Sequence, residues 1–134
     1  MAREATKVEL YGANNDGDPR SFTIASSATV AKGTFLKFAD PRTASASTGT
    51  NDMFAGFANH QKEADYSTTI SAWTNGIFEV TASGAITAGQ HLCTAAPGNY
   101  VQASMAALAS GAQVVGIALE DATADTNVTI RINI

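Results

Sequence analysis

ADYSTTI, residues 64–70, is answered by ADTNVTI at residues 124–130, sixty positions further on. The echo extends in both directions. Gly56-Phe57-Ala58 is matched by Gly116-Ile117-Ala118 at the same spacing, and six of the twenty residue pairs from 54–73 against 114–133 are identical. Upstream, FTIASSATVAKGTFL (22–36) aligns with FEVTASGAITAGQHL (78–92) at a spacing of 56. Phe22, Ser27, Gly33 and Leu36 then meet Phe78, Ser83, Gly89 and Leu92, while Ile24 and Val30 meet Val80 and Ile86. The change of spacing from 56 to 60 puts four extra residues into the stretch from Thr94 to Val114, and such slippage belongs in a loop. The recurring glycines are the most informative matches, because each marks backbone that a side chain would spoil.

Each copy reads mainly as strands. FTI, TFLKF, FAGFAN and STTISAW in the first copy, and IFEV, QHLCT, NYVQA, QVVGIAL and NVTIRINI in the second, are short and β-branched or aromatic, with turn residues between them. In NVTIRINI, Val128, Ile130, Ile132 and Ile134 alternate with polar residues, as on a strand with one buried face. AAPGNY (95–100) reads as a Pro-Gly turn, and Asn75-Gly76 as either a two-residue hairpin or a bulge in one long bent strand. ASASTG (44–49) reads as an exposed loop. One short helix is predicted at SMAALAS (104–110), capped by Ser104 and ended by Gly111. The expected fold is therefore all-β with that one helix: a compact barrel or sandwich of two similar units, 22–73 and 78–133, forming a single domain over 22–134. Residues 1–21 have no counterpart and form an N-terminal arm and loop, with an alternating candidate strand at KVELY (7–11) in which Val8 and Leu10 face one way and Glu9 and Tyr11 the other.

Charge and composition exclude several classes of function. The chain of 134 residues carries a net charge of −4, and its eight Lys and Arg are dispersed, which argues against direct nucleic-acid binding. Nothing in MAREATKVEL resembles the apolar core of a signal peptide, and no run is long enough for a membrane-spanning helix, so a soluble protein made in the cytoplasm is expected. Cys93 is alone and excludes an internal disulfide.

Reactive constellations are weak. His91 and Cys93 share a strand face without a third ligand, so Cys93 reads as a small buried apolar residue. His60 lies in the polar loop with Gln61, Lys62 and Glu63. Asn14, Asp16 and Asp18 imitate the start of a calcium loop, but Pro19 occupies the glycine position and the bidentate glutamate is missing, leaving a turn. Asp121 and Asp125 read as solvated loop acids, and Trp73, Phe78 and Tyr66 as core or interface anchors before they read as a ligand-stacking surface. No catalytic, cofactor or metal residue is assigned, and an enzyme is not expected.

The doubled pattern of G-x-x-L, G-[IF]-A and A-D-x(3)-T-I, together with VAKGTFLKFADPRTAS, TNGIFEV and SGAITAG, resembles the capsid cement, or head decoration, proteins of tailed double-stranded DNA phages. The resemblance implies a mostly β subunit, commonly trimeric, on the outer surface of an expanded icosahedral capsid. There it would bind the major capsid protein and hold neighbouring capsomers together, with the N-terminal arm engaging the shell. The resemblance carries the arm over only as residues 1–12; the strand read there puts forward Val8, Glu9, Leu10 and Tyr11 as capsid-contact residues, through strand addition to a neighbouring sheet, with pairing of that strand to the chain's own barrel as the equal alternative. A stand-alone ligand- or carbohydrate-binding β module and a phage tail subunit are the competing expectations.

Overall fold

The structure is a computed structural model that describes residues 3–11, 15–40, 42–103 and 114–133. In chain order the described strands are β1 (Thr6–Leu10), β2 (Arg20–Thr23), β3 (Phe35–Asp40), β4 (Thr43–Ala46), β5 (Phe54–Ala58), β6 (Thr69–Trp73), β7 (Asn75–Ala82), β8 (His91–Ala95), β9 (Tyr100–Ala103), β10 (Gly116–Ala118) and β11 (Asn127–Asn133). The protein is all-β among these residues, as expected, and the helix predicted over 104–110 lies outside them. Alternation drives the burial. β11 hides Val128, Ile130 and Ile132 and exposes Asn127, Arg131 and Asn133.

Two five-stranded barrels result. The first closes as β2-β4-β3-β5-β6; in the second, β7-β11-β10-β8-β9 is closed by a parallel pairing of β9 with β7. Their ladders correspond residue by residue. Phe22 faces Ile70 as Phe78 faces Ile130, Leu36 faces Gly56 as Leu92 faces Gly116, and Leu36 faces Ala46 as Leu92 faces Ala103. An isolated bridge from Val30 to Lys62 is likewise paralleled by one from Ile86 to Ala122. The rings part company at β5 and β6, where Phe57 faces Trp73, while Ile117 faces Arg131 two residues short of the equivalent position.

Two local readings are corrected, and one open alternative is decided. Residues 43–46 form β4 where an exposed loop was expected from Ala44 onward, and both Ala44 and Ser47 are buried. The first barrel needs small residues on that strand, since Ala44 occupies the place that Val101 fills in the second. Asn75-Gly76 is not a hairpin: only Thr74 separates β6 from β7, and the two strands belong to different barrels, so one long strand bends as it crosses between them. In the arm, a bulge between Lys7 and Glu9 interrupts the alternation, leaving Val8 exposed while Leu10 packs on the core.

Packing joins the barrels. The first encloses Phe22, Ile24, Val30, Leu36 and Ile70. A second cluster runs from Phe35, Phe54, Phe57 and Trp73 of the first barrel into Phe78, Leu92, Val128 and Ile130 of the second. At their meeting, the ring centroids of Phe57 and Phe78 lie 4.7 Å apart and those of Trp73 and Phe78 lie 5.5 Å apart. Burying several aromatic rings at one junction adds edge-on ring attraction to the hydrophobic gain.

Candidate interaction surface

The arm is strapped to the body by its inner edge. β1 pairs antiparallel with β7, with Thr6 facing Glu79 and Leu10 facing Gly76, and the Ala5 amide donates to the Gly33 carbonyl of the first barrel at 2.8 Å. Gly76 has φ +137, and a Cβ there would stand 2.5 Å from the Glu9 carbonyl, so only glycine lets the arm lie this close. An exposed ion pair between Arg3 and Glu79, 3.2 Å, adds little. The outer edge of β1 pairs with no described strand, because β1 ends its sheet. Of the four arm residues singled out in the sequence, Val8 is 59% exposed and Glu9 is exposed, Tyr11 is half-buried, and Leu10 is turned inward. Desolvation, and after it the Glu9 carboxylate, pushes the Tyr11 phenol upward, with Arg131 pulling the other way.

A second feature clasps the barrels together. The loop from Ser47 to Asp52 reaches β8, where the Thr94 hydroxyl accepts from the Asp52 amide (2.8 Å) and donates to the Gly49 carbonyl (3.0 Å). From the other side, Asn99 Oδ1 accepts from the Phe35 amide at 3.1 Å. The loop keeps its shape through the Asp52 carboxylate, which accepts from the Ser47 hydroxyl (2.8 Å) and the Gly49 amide (2.9 Å) and lies 4.0 Å from Lys37 Nζ. Partial burial pushes this carboxyl up, but those donors and the Thr48 amide together outweigh it and hold Asp52 below the ordinary aspartate range. A group depressed in the folded state stabilises fully above its unfolded pKa and loses that contribution as pH falls through the folded one. The thermal midpoint is therefore expected to decline below about pH 4. That decline should be shallower in Asp52→Asn, and equal slopes for the two proteins would remove Asp52 from the account.

The remaining residues singled out in the sequence do not assemble into a reactive centre. His91 is exposed while Cys93 is buried, and burial pushes its thiol up. Among the described residues no group of three or more His, Cys, Asp or Glu could hold a metal ion. Asp16 accepts the Asp18 amide at 3.0 Å, which makes a turn. Asp121 accepts from the Ala88 amide (2.8 Å) and Asp125 from the Tyr100 hydroxyl (2.9 Å). His60 is exposed beside Asn59. Trp73 and Phe78 are core, whereas Tyr66 is 84% exposed on a loop, so no three-ring surface forms. Missed in the sequence was Lys62, placed in a polar loop but buried, its ammonium donating to three backbone carbonyls. A lysine gives no sequence sign of burial, and only the apolar Ala122 at the corresponding bridge hints at it.

A search of curated proteins gives no match. Among solved structures the chain is similar to the head fiber gp8.5 N base of bacteriophage phi29, with 21% identity over 86% of this chain and 94% of that one and a TM-score of 0.55, a likeness of fold. The family description of phage cement proteins matches residues 15–134, which takes in both barrels and leaves β1 outside. With nearly its whole length so matched, the chain belongs to the phage cement protein family, a family of phage structural proteins.

Proposed function

We propose that this protein binds the outer surface of an icosahedral phage head, touches the major capsid protein and bridges neighbouring capsomers, as a homo-oligomer whose expected number is three. The observation that carries the reading is the match of residues 15–134 to phage cement proteins. The physical logic is linkage. A clip touching two or three capsomers must leave all of them at once, so modest contacts joined through one rigid body act as a strong one. Residues 22–73 and 78–133 serve as two copies of one unit within a single β domain, and residues 1–21 as the arm and loop before it. Support for the copies comes from the matched ladders. Within the arm, the outer edge of β1 is the surface offered to the shell, with Val8 its apolar contact and Glu9 and Tyr11 beside it, while Leu10 anchors the arm to the body.

Deleting residues 1–12 would test the arm poorly, because Ala5 and Leu10 would leave the core with it. Val8→Asp is sharper. Val8 has no ladder partner and is exposed, so stability should stay within about 0.5 kcal/mol of the parent. Cryo-electron microscopy and co-sedimentation with expanded, undecorated capsids should show saturating occupancy by the parent chain. The variant should bind about tenfold more weakly, the loss of one apolar contact and the burial of a charge in its place. Absence of binding by the parent chain would overturn the reading, and undiminished binding by the variant would remove the arm from it.

A further inference from the structure

The duplication lets the loops that lead into β6 and β11 be compared residue by residue. Each begins at an isolated bridge, Val30 with Lys62 in one and Ile86 with Ala122 in the other, and each turns on a left-handed aspartate, Asp65 (φ 66) and Asp125 (φ 62). The Asp65 amide donates to the Ser26 carbonyl as the Asp125 amide donates to the Ala82 carbonyl, so the two backbones match. Their side chains are used differently. In the second barrel the outer side chains hold the loop: Glu120 accepts from the Thr129 amide (2.9 Å), Asp121 from the Ala88 amide (2.8 Å), and the Thr126 hydroxyl bonds the amide and the carbonyl of Thr123 (3.1 and 2.6 Å). In the first barrel the loop is held from within, by the Lys62 ammonium on the Ser26, Ala28 and Glu63 carbonyls. The places of Glu120, Asp121 and Thr126 are taken there by His60, Gln61 and Tyr66, all three exposed. A buried lysine thus frees the outer side chains of this loop from holding it.

We propose that this loop is a binding site for a neutral hexose saccharide, with Tyr66 as its stacking platform. His60, Gln61, Glu63, Tyr66 and Ser67 line an open hollow of about 300 Å³ over the Lys62 stem, and Tyr66 is 84% exposed. A pyranose ring has a face of C–H groups, which the negative face of an aromatic ring attracts, and an edge of hydroxyls that donate and accept. Both needs are met side by side. Glu63 accepts from the Gln61 amide and keeps further acceptor positions, the Gln61 carbonyl oxygen accepts, and His60 engages Asn59 through Nδ1 (2.9 Å) and keeps Nε2. Tyrosine presents a large amphipathic area at low entropic cost, and a loop already fixed by Lys62 has little ordering left to lose on binding. Charge narrows the ligand. Glu63 lines the hollow, Asp65 precedes Tyr66 in the chain, and the Lys62 ammonium is turned to the carbonyls, so phosphorylated, sulfated and sialylated ligands are disfavoured. This activity goes beyond head binding and does not depend on it.

Affinity electrophoresis in native gels tests it, with amylose, dextran, mannan or galactan as the neutral polymer and heparin or polysialic acid as the anionic one. The parent chain should be retarded by at least one neutral polymer and by neither anionic one. Tyr66→Ala should bind that polymer about tenfold more weakly, and Tyr66→Phe, which keeps the ring, should stay within about twofold of the parent. Because the side chain is exposed, both variants should melt within about 3 °C of the parent. A parent retarded by none of the neutral polymers, equal retardation of Tyr66→Ala, or retention led by heparin or polysialic acid would each overturn the proposal. Capsid occupancy is read on the same proteins. Tyr66→Ala should decorate heads as the parent does, and its failure to do so would make the hollow a capsid contact and overturn the saccharide site. A parent that decorates heads without binding any sugar loses this site alone, and one that binds sugar but ignores capsids loses only the cement reading.

Discussion

Gly116→Ala should cost about 4 kcal/mol of folding stability. The reason is position. Gly116 opens β10 between β8 and β11, and a Cβ there would stand 2.2 Å from the Arg131 carbonyl oxygen and 3.0 Å from its carbon, with Ile132 Cγ2 at 3.1 Å. Two of those atoms are backbone of the paired strand, so relief requires β11 itself to move, and β11 is also paired along its whole length with β7. In a domain of this size the loss corresponds to a fall in melting temperature on the order of 12 °C. Gly56, the matching residue of the first barrel, is crowded in the same manner by the Trp73 carbonyl at 2.6 Å. Gly84 is the control. It has open space around it and an ordinary φ, so Gly84→Ala should leave the melting temperature unchanged or raise it slightly by stiffening the unfolded chain. If the two substitutions melted alike, crowding at β10 would not be what glycine relieves.

Lys62→Ala is expected to cost about 3 kcal/mol, or a fall in melting temperature of about 10 °C. Lys62 is 3% exposed, and its ammonium donates to the carbonyls of Ser26 (2.9 Å), Ala28 (2.8 Å) and Glu63 (3.2 Å). An ammonium has three donors, and all three are used. Among the described residues no carboxylate pairs with it, and the dipoles of the carbonyls hold the charge. Removing it leaves three partly buried carbonyls without their donor and a hole where the stem lay, and the turn at 25–28 loses one of the ties that hold it to the loop before Asp65. Lys62→Met separates packing from hydrogen bonding, since it keeps the apolar stem and loses the donors. It should be nearly as damaging as alanine in chemical denaturation, and a methionine variant of parental stability would show that the stem alone does the holding.

What could be read from the residues follows from how strongly each position is constrained. β11 is legible because one face meets the core and the other meets water, so alternation survives in the sequence. β4 is illegible because its inward residue must be small, and TASA then looks like any polar loop. The bend at Thr74 is one of the two readings that Asn75-Gly76 allows; the sequence leaves it beside the hairpin because Asn-Gly signals a hairpin wherever two strands pair, and here they diverge into separate barrels. The arm was recognised as extended. Its docking on β7 hangs on Gly76 and a bulge, and one unpaired residue is enough to turn Val8 outward against the expected alternation. Lys62 was invisible as a core residue because burial of a lysine depends on where three carbonyls happen to converge, which no local pattern encodes.

The passage from one barrel to the other is a single residue, and that residue has no freedom left: the Thr74 amide donates to the Gly17 carbonyl at 3.1 Å and its hydroxyl to the Asp18 carbonyl at 2.8 Å. A linker of such length has no slack to take up. A load applied to either half is transmitted at full leverage to the other, with no elastic delay between them.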